Sequence, residues 1–187
     1  MNRIKHLLLT VVSIGLFTSC DASMLFPSET NSVTQLCTVE ADVGACAAIQ
    51  DEALDLNKML TYSLQDEYLA FHEYDVLINE KGYGKPFTNI ILAEQTHIEA
   101  LLPLLDWYGV EAVDPTLLYD HAVIPNSLEE ALHIGVNAEI INIEMYENFL
   151  QHDIPSDVAE VFTRLMDASQ NHLRAFQNNL DRITNQL

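Results

Sequence analysis

The stretch AEQTHIEALLPLL, residues 93–105, is nearly apolar, yet it carries Glu94 and His97 inside its hydrophobic stripe. Ile90, Ile91, Ile98, Leu101, Leu104 and Leu105 recur at helical spacing and mark the face that turns toward a core. Glu94 and His97 fall on that face, because residues three and four apart are neighbours on a helix surface. A buried carboxylate must be paired or must neutralise. The remainder of the chain therefore has to supply partners for this pair.

Three other long segments repeat the pattern. One, over about 51–80, has the stripe Leu56, Leu60, Leu64, Glu67, Phe71, Tyr74 and Ile78. Another, from Ser127 to about Gln151, has Leu128, Leu132, Val136, Glu139, Ile143, Tyr146 and Leu150. The last runs from near Ser156 almost to the end, with Leu165, Ala168, His172, Ala175, Phe176 and Leu180. Gly82 and Gly84 stop the first helix, and Lys85-Pro86 opens the second, which reaches about Tyr108 and is expected to kink at Pro103. Ser127 and Glu130 form a capping box for the third. Between the second and third lies a crossover of about eighteen residues. In it Asp114-Pro115 opens a short helix and Ile124-Pro125 ends it. Two antiparallel helical hairpins joined by a long crossover that carries a short helix define an all-α, ferritin-like four-helix bundle over residues 51–187.

The N-terminus has a different character. Residues 1–19 combine Arg3 and Lys5 with an apolar run of about a dozen residues, a secretory signal too short for a comfortable membrane span. Phe17-Thr18-Ser19-Cys20 resembles the lipobox of bacterial lipoproteins, which implies acylation of Cys20 and a lipid anchor; the alternative is an ordinary signal cleaved nearby. Three cysteines are an awkward count for an exported chain. With Cys20 acylated, Cys37 and Cys46 remain as a pair for a disulfide in an oxidising compartment, or as two free thiols. Residues 20–50, polar and weakly periodic, are expected to be a lipidated tether containing that pair. The expected location is the bacterial cell envelope, periplasmic or outer face.

Eight basic residues face 28 acidic ones, and losing the signal removes two of the former and none of the latter, leaving −22. Nucleic acid is excluded as a partner, because phosphate binding needs a basic footprint. An anionic membrane surface would repel the chain as well, so membrane association falls to the lipid. Redox or protein partners, including a second copy in a homodimer, are left open.

Each apolar stripe is broken near its middle by a side chain able to bind metal: Glu67, Glu94 with His97, Glu139, and His172. A di-iron carboxylate bundle takes one Glu from each of two helices and Glu-x-x-His from each of the other two. Carboxylates bridge hard cations and offset their charge, while imidazole supplies a terminal nitrogen. Glu94-Gln95-Thr96-His97 meets that pattern. The fourth helix does not, because Ser169 stands three residues before His172. The set is one carboxylate short, which leaves one or two iron or manganese ions open. Asn142, Ser169, Tyr74 and Tyr146 are candidates for places beside the ligands, with ordinary core or rim positions the alternative for the two tyrosines. The alternative is a bundle without catalysis, metal-free or merely metal-stabilised, in which Glu94 pairs with His97 or His172 and the surface recognises another protein.

PFTNIILAEQTHIEALLPLLDWY and SQNHLRAF are similar to motifs of the ferritin-like proteins grouped as domain-of-unknown-function family 2202. The likeness spans about residues 53–181, and Gln170 replaces an Arg in the second motif. It implies that Ser169 is a family trait, that Gln65-Asp66-Glu67 carries the acid of the first helix at Glu67, and that Glu139 carries that of the third. An aspartate common in the family is Asn142 here. Open coordination positions imply an oxidase or peroxide-scavenging reaction, with Glu67 and Glu139 as bridging or terminal carboxylates and His97 and His172 as terminal nitrogen ligands.

Overall fold

A computed structural model describes residues 36–37 and 42–185. The signal, Cys20 and the first part of the tether lie outside the described residues. Among the described residues five α-helices follow in order: α1 (Gly44–Gln50), α2 (Leu56–Asn79), α3 (Phe87–Tyr108), α4 (Leu128–Phe149) and α5 (Ser156–Thr184). A 3-10 helix, Pro115–His121, occupies the crossover between α3 and α4. α2 pairs with α3 and α4 with α5, and the two hairpins make the ferritin-like bundle.

Local chemistry sets the boundaries. Asp55 caps α2 by accepting from the Lys58 amide, so the helix begins later than residue 51. Asp51 instead closes the preceding turn, accepting from the Ala53 amide and pairing with Lys58 at 2.8 Å. Gly109, in the left-handed conformation at φ 68°, terminates α3. α3 continues through Pro103 up to that cap. Asp114 caps the crossover helix and Ser127 caps α4. Glu130 returns a carboxylate to the Asn126 amide, one residue earlier than a strict capping box would place it.

The expected tether needs correction at its C-terminal end. Residues 44–50 form α1, which packs on α2 and α4 with Ala45, Ala47 and Ala48 buried. Seven residues, most of them Gly or Ala, are too few and too small to give a readable stripe. α1 is held from outside instead: the Gly44 amide donates to Gln65 Oε1, the Ala45 amide donates to Asp66 Oδ1, and Cys46 is disulfide-bonded to Cys37.

Two apolar clusters fill the bundle. The larger gathers Leu60, Leu64, Leu101, Met145, Phe149 and Phe162; the other gathers Tyr74, Phe87, Leu132 and Phe176. Every buried acid and imidazole of interest is enclosed by these packed helices.

Candidate metal centre

The five side chains singled out in the sequence converge. Glu67, Glu94, His97, Glu139 and His172 are all buried, although they come from four different helices. His97 Nδ1 lies 3.0 Å from Glu67 Oε2 and 3.0 Å from Glu94 Oε2. His172 Nδ1 lies 3.3 Å from Glu94 Oε1 and 3.4 Å from Glu139 Oε1. The imidazole rings are inclined by 26°, their centroids 5.7 Å apart. Two triads result, Glu67–Glu94–His97 and Glu94–Glu139–His172, and in each the donor atoms lie within 4.8 Å of one another. Glu94 belongs to both, offering one oxygen to each imidazole. The shared position therefore falls to Glu94, and Glu67 and Glu139 each serve a single triad.

The electrostatics follow from crowding charges in a dry place. Burial works to raise the Glu94 carboxyl, but hydrogen bonds from His172, His97 and Glu67 outweigh it and hold it near 2. Burial and then the Glu94 charge push Glu67 up to about 8, and burial pushes Glu139 up to about 7. Burial alone would lower both histidines. Their carboxylate neighbours reverse this and raise each to about 10. Each Nδ1 lies between two carboxyl oxygens of its triad, and their proximity favours the protonated imidazole.

The residues expected beside the ligands are there. Tyr146 donates to Glu67 Oε1 at 2.9 Å and fixes that carboxylate from behind. Ser169 Oγ donates to Asn142 Oδ1 at 2.7 Å, and Asn142 Nδ2 donates to Asp66 Oδ2. Asn142 therefore aims its amide at Ser169 and Asp66. Tyr74 lines a cavity of about 20 Å³ together with Asp66, Glu67, Glu94, Glu139, Asn142 and Ser169. That volume suits about one water-sized occupant. His72 is in neither triad; it stacks on Tyr119, with ring centroids 3.8 Å apart.

Two acids went unassigned in the sequence. Asp66 sits one position off the α2 stripe and reaches the cavity wall. Glu73 accepts from the Val123 amide at 2.7 Å, and burial pushes its carboxyl up to about 7. Their spacing, seven residues along one edge of α2, is the signal that would have found them.

Bundle and paired triads together define a ferritin-like protein with a candidate carboxylate–histidine metal centre. Residues 56–186 match the model of an uncharacterized protein domain, DUF2202, and the chain belongs to that family. It is 30% identical over 128 residues to an uncharacterized protein, MJ0754, of Methanocaldococcus jannaschii, an alignment covering 60% of this chain and 68% of that one. The crystal structure of that hypothetical protein superposes with a TM-score of 0.62 at 27% identity, over 72% of this chain and 85% of the other. A dodecameric thioferritin, the bacterioferritin-related protein of Bacteroides fragilis, superposes with a TM-score of 0.59 at 16% identity, over 82% of this chain and 94% of that chain. At that identity the likeness concerns the fold alone.

Proposed function

We propose that this chain is an exported, lipid-anchored ferritin-like protein that holds iron or manganese, as one or two ions, and uses it to turn over dioxygen or peroxide. The observation that carries the reading is the sharing of Glu94 between two buried triads, each with an imidazole nitrogen and two carboxylates. The donor chemistry fits: hard oxygens and borderline nitrogens, with no thiolate or thioether in either triad. Bound metal would supply Lewis-acid and electron-transfer chemistry that no side chain here possesses.

The protein's own contribution is derivable. His97 and His172 give up their Nδ1 protons and become neutral donors, while Glu67 and Glu139 lose theirs to become anionic ones. Tyr146 keeps Glu67 oriented through its hydroxyl. Leu64, Ile98 and Leu101, buried on the same two helices as Glu67, Glu94 and His97, help keep the interior dry. Tyr74, whose hydroxyl burial and the Glu139 charge keep protonated well beyond its ordinary range, stands at the cavity as a neutral hydrogen-bonding group.

A second reading has its own support. Among the described residues no buried side-chain polar atom lacks a hydrogen-bond partner, so the cluster satisfies itself without an ion. On that reading the bundle is an interaction module. Metal analysis of residues 21–187, beside a Glu94→Ala/His97→Ala variant, separates the two. About two equivalents of iron or manganese in the wild type, lost in the variant, support the centre. No uptake, with melting unchanged by chelator, leaves the interaction module.

A further inference from the structure

Two divalent ions would bring four positive charges into the chamber, and Glu67, Glu94 and Glu139 return only three negative ones. In a water-poor interior such a residue of charge is costly. We propose that Asp66 is the fourth carboxylate of the centre, a charge-balancing and positioning residue that makes up for the acid Ser169 does not provide. This inference rests on the dinuclear form of the reading above.

Three observations carry it. Asp66 lines the same cavity as Glu67, Glu94 and Glu139. Asp66 Oδ2 accepts from Asn142 Nδ2, whose amide oxygen accepts from Ser169 Oγ, so Asp66 ends a hydrogen-bonded row that starts where the acid is missing. Among the described residues, no basic side chain lies within ion-pair distance of Asp66. The partly buried carboxylate thus has hydrogen-bond donors, the Ala45 amide and Asn142 Nδ2, but no cation to offset its charge. Asp66 stands outside both triads, so it acts as a neighbouring counter-charge and holds Asn142 in place instead of entering the ligand set.

Its other role is a cap, since Oδ1 accepts from the Ala45 amide at 2.9 Å and steadies α1. Asp66→Asn separates the two roles. The amide oxygen still accepts from Ala45. Turning the Asn142 amide over preserves its bonds to residue 66 and Ser169, because the serine hydroxyl already reaches the Leu165 carbonyl at 3.2 Å. Only the charge is lost.

The test titrates the full chain, detergent-solubilised, with manganese(II). It reads bound metal per chain and the metal-induced rise in melting temperature. The wild type should bind two ions. Asp66→Asn should bind one, the second weakened at least about tenfold, with metal-free melting close to wild type. The exchange variant Asp66→Asn/Asn142→Asp, which restores the charge one residue away, should bind two again. Two tightly held ions in Asp66→Asn would overturn the inference while leaving the dinuclear reading intact. Fewer than two ions in the wild type would overturn both. If Asp66→Asn loses an ion and also melts early without metal, recovery in the exchange variant supports the counter-charge role, and failure to recover sinks it.

Discussion

At the residue scale, five groups of the centre titrate against one another, and the direction of each shift predicts how stability moves with pH. Glu94 is lowered to about 2 from an ordinary 4.5, so its contribution is complete above 4.5 and lost as pH falls toward 2. Glu67 and Glu139 are raised to about 8 and 7, so the folded state binds more protons than the unfolded one above 4.5 and loses stability as pH rises through those values. His97 and His172, raised to about 10 from 6.5, contribute fully below 6.5 and cease to do so as pH rises through 10. The metal-free protein should therefore be most stable near pH 5 and weaken steadily toward pH 10 in chelator-containing denaturation curves. Metal binding must expel the same protons, so the metal-induced increment in melting temperature should instead grow from pH 5 to 8. A metal-free curve that rises over pH 5 to 8 would contradict these assignments. The sharing of Glu94 ranks the ligands: Glu94→Gln should abolish uptake of both ions, whereas Glu139→Gln should spare one, as read by metal analysis. The i, i+3 register of Glu94 and His97 was visible in the sequence because it is local. The sharing of Glu94 between the two triads was not, because it depends on how two hairpins meet. Asp66 escaped notice because Glu67, its neighbour, already filled the stripe.

At the element scale, the stripes of α2 to α5 were legible because each helix is long enough to repeat its apolar face several times. α1 was not, and its stability comes from contacts that no periodicity records. Reducing Cys37–Cys46, nine residues apart, should lower unfolding free energy by about 2–3 kcal/mol on the loop-entropy estimate, measured by denaturant unfolding with and without reductant. α4 and α5 offer a sharper case. A Cβ added at Gly135 would stand 2.7 Å from the Phe176 ring. That ring is fully buried against Tyr74 and Phe87, with centroids 5.9 and 5.6 Å away, and cannot step aside. Gly135→Ala gains up to about 1 kcal/mol of helix propensity but overpacks the interface by about 1–3 kcal/mol. The expected outcome is a lower melting temperature, with metal stoichiometry retained because the collision lies in the apolar cluster of Tyr74, Phe87 and Phe176. An unchanged or higher melting temperature would mean that α4 and α5 can separate locally.

At the scale of the whole molecule, charge bears on the proposed anchoring. No helix among the described residues is long and apolar enough to cross a membrane. The protein is strongly acidic, −20 over the whole chain, so an anionic lipid surface would repel it. On the proposed reading, membrane association falls to acylation of Cys20, so one residue should control it. One acyl chain holds a protein only marginally, whereas two hold it stably, so diacylation at a single cysteine suffices for anchoring. Expressed in a bacterial host, the wild-type chain should partition into the detergent phase and into membranes that resist washing with high salt. Cys20→Ser should move it to the soluble exported fraction, with bundle stability and metal uptake unchanged, because residue 20 precedes in sequence every helix that carries a ligand. If Cys20→Ser stayed with the membrane, a protein partner or the uncleaved signal would have to be doing the holding. If the wild type were soluble as well, the resemblance of residues 17–20 to a lipobox would be accidental, and the centre would belong to a freely diffusing protein.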